Sequence, residues 1–375
     1  MPGLATISVR DHPFRPGRHP GGFRVAGVPH SGGIRTGAPT AGRPTKPQRV
    51  SDEAHTSGPR EPSTEFAHVP VLLDRVVELF RDVPSGLYVD ATLGGAGHAA
   101  AVLAANQGLR LLGLDRDDRA VAAASRRLAP FGDRVEIVRS GFGRLEQLVN
   151  ERTTEGATAV LFDLGVSSPQ LDEVDRGFSY RSAGPLDMRM DRRQELSAVD
   201  VVNDYPFAQL AGVIERYGED RYAKRIARAI VTARPITDTE HLAEVVRDAI
   251  PAPARRRGGH PAKRTFQAIR IEVNRELEQL ADALDGALAV LAPGGRLAVM
   301  SYHSLEDKLV KDTFREAETG GCVCPPGLPC ACGATPTVRL LKRGAWKAGD
   351  DEVADNRRAE SVRLRAVESL GERAS

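Results

Sequence analysis

The fold is decided between residues 86 and 115. Gly86-Leu87-Tyr88-Val89-Asp90 is followed by Gly94-Gly95-Ala96-Gly97-His98, an alanine-rich segment over 98–106, and Arg110-Leu111-Leu112-Gly113-Leu114-Asp115. Each short apolar run is too brief for a buried helix and ends in an acid, which reads as a strand. The glycines between them mark a tight strand-to-helix turn. Working outward, the pattern predicts a helix over 71–80 before this unit. After it come a helix over 117–129, a strand over 135–138, a helix over 144–151 and a strand over 158–163. Such alternation with short links predicts a parallel, doubly wound α/β sheet. The alternation stops at about 175. Helical patterns at 198–217, 219–234 and 239–250 follow, punctuated by Gly218 and Pro235. A helix over 265–291 leads through Pro293-Gly294-Gly295 to a fifth strand at 296–302. A helix over 305–318 and terminal strands at 337–341 and 361–367 complete the expectation.

A chain of 375 residues suggests two domains. An apolar fraction of 41% and a charged fraction of 27% suit a water-soluble globular protein, expected in the cytoplasm. No run approaches the roughly 18 apolar residues of a membrane-spanning helix, and no secretory signal is expected. The net charge of +2 is unevenly spread. Residues 1–65 carry nine Lys/Arg against five Asp/Glu, together with ten Gly and ten Pro. That segment is read as a disordered tail, because it has too little apolar surface to offset its ordering entropy. Residues 369–375 are read the same way. The expected organisation is a cofactor-binding domain from 66–174 and 263–368, interrupted by a helical domain over 175–262. No global basic field points to nucleic acid, so any such contact must come from local patches.

Ligands of these sheets bind beyond the carboxyl ends of the strands. Asp90 with its glycine turn, Asp115, Phe142 and Asp163 all fall there. Glycines at a helix N-terminus let backbone amides approach a ligand closely, and an acid at the second strand tip suits a ribose diol. This fits adenosine cofactors generally. Gly95-Ala96-Gly97-His98-Ala99-Ala100 even matches the dinucleotide fingerprint. The fourth strand, however, runs into Asp163-Leu164-Gly165-Val166-Ser167-Ser168-Pro169-Gln170. That loop resembles the one amino-methyltransferases place beside a methyl donor, with Ser-Ser-Pro-Gln replacing the usual two prolines and aromatic.

Longer motifs carry a closer resemblance. They are His68-Val69-Pro70-Val71-Leu72-Leu73, the 90–98 turn, 163–170, and Gly184-Pro185-Leu186-Asp187-Met188-Arg189-Met190-Asp191. Tyr217-Gly218-Glu219, the run from His260 to Arg270, and Ser301-Tyr302-His303-Ser304-Leu305-Glu306-Asp307 complete the set. Over roughly 67–368 the chain resembles the ribosomal small subunit methyltransferase H family, bacterial 16S rRNA (cytosine-N4)-methyltransferases. The resemblance implies a Rossmann-like class I methyltransferase sheet with an inserted all-α domain, and S-adenosylmethionine as donor. It also implies, as acceptor, a cytidine in the decoding region of 16S rRNA within the small subunit. Cofactor contacts would fall on Gly95, Ala96, Gly97, His98, Asp115, Phe142, Asp163 and Gln170.

Cytosine N4 is a weak nucleophile, so the site needs orientation and a hydrogen-bond acceptor for the amine. Asp163, Ser167 and Ser168 are the candidates. The base must leave its stack, and Asp187, Arg189, Arg264, Gln267 and His303 are the residues expected to hold it or its phosphates. His303 also stands near a helix start, where Ser304 is the expected N-cap with Asp307 at its third position. Basic residues Arg221, Lys224, Arg225, Arg228, 255–257 and Lys263 surround the helical block. The alternatives are an NAD-dependent oxidoreductase on a similar sheet and a non-catalytic ribosome-assembly factor. A homodimer is left open, and no membrane partner is expected. No catalytic metal is expected. Cys322, Cys324, Cys330 and Cys332 form two CxC pairs that offer either a structural zinc site or a free, redox-labile loop.

Overall fold

A computed structural model describes residues 70–165, 174–256, 259–325 and 330–371. Seven strands form one sheet: β1 Gly86–Asp90, β2 Leu109–Asp115, β3 Val135–Arg139, β4 Ala157–Asp163, β5 Leu291–Ser301, β6 Val338–Leu340 and β7 Arg363–Ser369. Their spatial order is β3-β2-β1-β4-β5-β7-β6. The first five are parallel; β7 runs antiparallel to both β5 and β6. The strand order reverses between β1 and β4, which opens a crevice at their carboxyl ends. This is the topology of the class I methyltransferase sheet expected from the sequence.

The period of two along each strand divides the core. Tyr88, Leu111 and Leu161 face one apolar cluster with Val76 and Phe80 of α1 (Leu73–Arg81) and Val102 and Leu103 of α2 (Gly97–Ala105). Val89, Leu112, Val160 and Phe162 face the other, against Leu145 and Leu148 of α4 (Leu145–Asn150). Helix α3 (Asp118–Leu128) sends Ala124 and Leu128 to the first face. Both faces are covered, so the central strands read as continuous apolar runs.

A third apolar cluster belongs to the helices between β4 and β5. Helices α5 (Ala198–Asn203), α6 (Phe207–Gly218), α7 (Ala223–Ala233) and α8 (Thr239–Ala249) contribute Val201, Leu210, Ile226 and Leu242. Helix α9 (Ala252–Arg255) is a single turn. Helix α10 (Lys263–Asn274) adds Phe266, Ile269 and Val273 to the same cluster, so its apolar face serves the helical block.

Three expectations are corrected. The helix expected over 198–217 breaks before Pro206, whose missing N–H and fixed φ suit the start of a new helix. The helix expected over 265–291 is two, α10 and α11 (Glu276–Ala289), joined at Arg275 in the left-handed region with φ 49. The fifth strand pairs from Leu291 onward, with a register shift where Gly294 sits at φ +70. A short helix at Asp350–Asp355 (α13) had no counterpart in the sequence reading.

Candidate active site at the strand ends

Asp90, Asp115 and Asp163 end β1, β2 and β4. The turn between β1 and α2 is shaped by backbone geometry. Gly94 has φ +49 and donates its N–H to Asp115 Oδ2 at 2.9 Å. Ala96, at φ 58, caps α2. A Cβ on Gly97 would lie 2.4 Å from Pro70 Cγ, whereas one on Gly95 would meet nothing within 4 Å. Gly97 therefore serves close packing, and Gly95 leaves open space at the helix N-terminus.

Asp163 is fixed from three sides. Its N–H donates to Thr92 Oγ1 at 2.6 Å, Oδ1 accepts from Tyr302 Oη at 2.7 Å, and Oδ2 lies 3.5 Å from His98 Nε2. That last distance is too long for a good hydrogen bond. The Asp163 side chain keeps 29% of its surface, so the second oxygen can still meet a ligand. Burial, then the Asp163 charge, push the Tyr302 hydroxyl well above the usual phenol range, so it stays a neutral donor.

Asp90 is almost completely buried, accepting from Thr92 N–H at 3.2 Å and from Tyr88 Oη at 3.4 Å. Burial raises it to about 7, with His98 and the Thr92 amide pulling the other way. Asp115 accepts from Gly94 and Asp117 amides, yet burial still raises its carboxyl above the ordinary range. Three carboxylates thus converge in a partly dry crevice, beside a histidine whose two ring nitrogens have no hydrogen-bond partner among the described residues. Leaving such buried groups unmatched costs about 1–3 kcal/mol each. The arrangement fits a cationic adenosine ligand: carboxylates opposite a sulfonium, Asp115 for ribose hydroxyls, and the α2 N-terminus for a carboxylate.

Phe142 opens a short turn after β3, edge-on to Phe162 at 5.8 Å with Arg116 over its other face. A cleft of about 220 Å³ beside it is lined by Arg116, Ser140, Gly141 and Gln279, among others. Ser167, Ser168 and Gln170 lie outside the described residues, as do the tail and the His68-Val69 end of the first motif.

The residues expected to hold the base have other partners. Asp187 and Arg189 bind each other in a two-point pair at 2.8 and 3.1 Å, and Arg189 Nη1 donates to Gln194 O. Burial opposes ionisation of Asp187, but Arg189 outweighs it and holds the carboxyl below its usual range. Arg264 Nη1 donates to Glu219 O and Gln267 Nε2 to Tyr217 O, both at 3.1 Å. Ser304 Oγ donates to Glu219. Arg264 and Gln267 tie the Tyr217-Gly218-Glu219 turn to α10, and Ser304 ties it to the segment after β5. Gly218 permits this, since a Cβ there would lie 2.9 Å from Arg264 O.

His303, not Ser304, is the N-cap of α12 (Ser304–Thr319), and Glu306 rather than Asp307 completes the capping box. Its Nδ1 accepts from Glu306 N–H at 3.3 Å, while Glu306 Oε2 accepts from Tyr302 and His303 amides. Burial disfavours the Glu306 carboxylate, but His303 and Arg270 keep it below the normal range. The histidine side chain is largely buried, with Nε2 3.1 Å from Glu306 Oε1 and Glu276 close by. Asp307 instead pairs with Arg365 of β7.

Three residues missed in the sequence fix the helical block. Buried Arg176 pairs with Asp117 at 3.1 Å and donates to the carbonyls of Arg189 and Met190. Asn274 donates to Met188 O and accepts from Met190 N–H, both at 2.8 Å. Gly177, at φ +70, lets the chain pass so near Pro185 that a Cβ would be 2.0 Å from its carbonyl oxygen. For Asn274 the only signal was an amide directly after Val273 at the end of the helical pattern.

The MraW methylase family profile matches residues 65–370. The chain is 50% identical over 311 residues to a Heliobacterium modesticaldum protein named ribosomal RNA small subunit methyltransferase H, spanning 81% of this chain and 99% of that one. It is 51% identical over 313 residues to the Thermobifida fusca protein of the same name, covering 82% and 94%. Against the Mycolicibacterium gilvum protein it is 52% identical over 311 residues, covering 81% and 83%. S-adenosylmethionine is the methyl donor that such a methylase uses and that the strand-end residues fit. The oxidoreductase alternative falls with this match. A sheet reversing between β1 and β4, three acids at its rim and a profile match over residues 65–370 lead to one conclusion: this protein is a member of the MraW methylase family.

Proposed function

We propose that the protein methylates the N4 amine of a cytidine in the decoding region of 16S rRNA, within the small ribosomal subunit. The observation that carries this reading is Asp163, held at the β4 tip by Tyr302 and Thr92 with part of its side chain exposed. An exocyclic amine has its lone pair delocalised into the ring. A fixed carboxylate accepting its N–H draws electron density back onto nitrogen and aims it. Tyr302 holds that carboxylate and Thr92 the backbone N–H beneath it, so little reorganisation accompanies the reaction. When bound, S-adenosylmethionine supplies an electrophilic methyl group at this rim. The two serines at 167 and 168 offer further polar contacts to the amine, and Gln170 a contact to donor or base.

The helical block over 175–262 faces the RNA in this reading. Lys224, Arg225 and Arg228 are exposed on α7, and Arg228 lies over the ring of half-exposed Phe207. Cations one turn apart suit neighbouring phosphates. Asp187, Arg189, Arg264 and Gln267 act as positioning residues that shape the loops around the base, and His303 orients the Tyr302 segment.

The test is methyl transfer from labelled donor to small subunits isolated from a strain lacking the enzyme, followed by nucleoside mass analysis. N4-methylcytidine at a single decoding-region position is expected. A ring-carbon methylcytidine, a methylated uridine, or no transfer to subunits or to free 16S rRNA would refute the assignment.

A further inference from the structure

Cys322, Cys324, Cys330 and Cys332 follow the C-terminus of α12, in the segment that leads into the edge strand β6. Their four sulfurs all lie within 4.8 Å of one another. Cys322–Cys330 and Cys330–Cys332 are separated by 3.5 Å, and Cys322–Cys332 by 3.7 Å. Zinc–thiolate bonds of about 2.3 Å in a tetrahedron place neighbouring sulfurs about 3.8 Å apart. A disulfide would bring two of them to about 2.05 Å, and all four are free thiols.

We propose that these four cysteines hold one structural Zn²⁺. Burial does not explain them, because Cys330 and Cys332 are exposed and Cys322 and Cys324 only half-buried, whereas free cysteine is ordinarily a core residue. The backbone is shaped to gather them. Gly320, Gly321 and Gly333 adopt φ +59, +71 and +74. A Cβ on Gly320 would lie 2.4 Å from the Thr335 backbone, so the outgoing and returning chains cross there. Cys322 N–H donates to Thr319 O at 3.2 Å and Thr337 N–H to Ala317 O at 3.0 Å, which ties both ends of the segment to the helix. Ala331 N–H points at Cys324 Sγ at 3.3 Å, a contact that supports thiolate charge.

Four soft sulfur ligands select zinc over the oxygen-seeking cations, and a complete S₄ shell leaves no open position for substrate. On binding, each thiol gives its proton to solvent. The 16 residues of α12 carry the site about 24 Å from the helix start at His303, the residue after the Asp163 partner Tyr302. The metal would therefore fasten the end of α12 to β6 and take no part in methyl transfer.

The full chain, purified under reducing conditions from zinc-containing medium, should carry one zinc per polypeptide by elemental analysis. Replacement with Co²⁺ should give the intense absorption of tetrahedral thiolate-bound cobalt. Cys322→Ser and Cys330→Ser should each lower the zinc content severalfold while donor binding persists. Metal-free protein with four titratable thiols that take up neither metal would overturn the proposal. So would disulfides found by mass analysis of the unreduced protein, or full zinc content in both variants. The cobalt spectrum of the unmodified chain keeps the test decisive if a variant fails to fold.

Discussion

At the residue scale the account turns on which carboxylate does what. Asp163→Asn keeps the shape but loses the charge that localises the amine lone pair. Its kcat should fall about 10²–10³-fold, as for loss of one preorganised electrostatic partner, with a smaller loss of donor affinity by calorimetry. Full activity would remove Asp163 from the mechanism. Tyr302→Phe should cost less, since it frees the carboxylate without discharging it. Asp115→Ala should weaken donor binding about 10–100-fold, the worth of a charged hydrogen-bonding partner. Asp90 makes a pH prediction. Its folded value of about 7 exceeds the ordinary carboxylate value of 3.8, so between those limits the folded protein holds a proton that the unfolded chain lacks. Stability from this group is present in acid and is lost as pH rises towards 7. Asp90→Asn should flatten that decline and raise the melting temperature above pH 7. A cation at the rim favours ionised Asp90, so donor affinity of the unmodified protein should rise from pH 6 to 8, and less so in the variant. Parallel pH profiles for the two would contradict the assignment.

At the scale of elements, the rim depends on staples between loops. Asn274→Ala leaves the Met188 carbonyl and the Met190 amide unmatched and should cost about 2–4 kcal/mol, read by denaturant unfolding. If donor binding is preserved while RNA affinity falls, the 184–191 segment acts on substrate. The legibility of these elements differed for physical reasons. β1, β2 and β4 were visible because each is a short apolar run closed by an acid, and the rim acids followed directly. The break at Arg275 was hidden because arginine is a good helix former, and only tertiary packing puts it in the left-handed region. The cap at His303 was misassigned because serine usually fills that position, whereas here a buried glutamate completes the box with the histidine. The Asp187–Arg189 pair was read as facing substrate because its two-residue spacing says nothing about a loop that turns the side chains towards each other.

At the scale of the molecule, the sheet and the helical block have separate cores, with polar links between them that include Arg176–Asp117 and Ser304–Glu219. Donor and RNA affinities should therefore separate. Lys224→Glu with Arg228→Glu should weaken RNA binding and shallow its salt dependence by about two phosphate contacts, leaving the donor constant unchanged. No helix among the described residues is long and apolar enough to cross a membrane. The family match starts at residue 65, so removing residues 1–60 should leave turnover within about threefold, terminal segments being tolerant of loss. A larger loss would assign the basic tail a part in RNA capture.

The most direct measurement is a crystal structure with S-adenosylhomocysteine. The account predicts the ribose hydroxyls on Asp115, the amino-acid end at the Gly94–Gly97 turn and the sulfur facing the gap between Asp90 and Asp163. A product bound elsewhere, or one whose sulfur is walled off from Asp163, would contradict it.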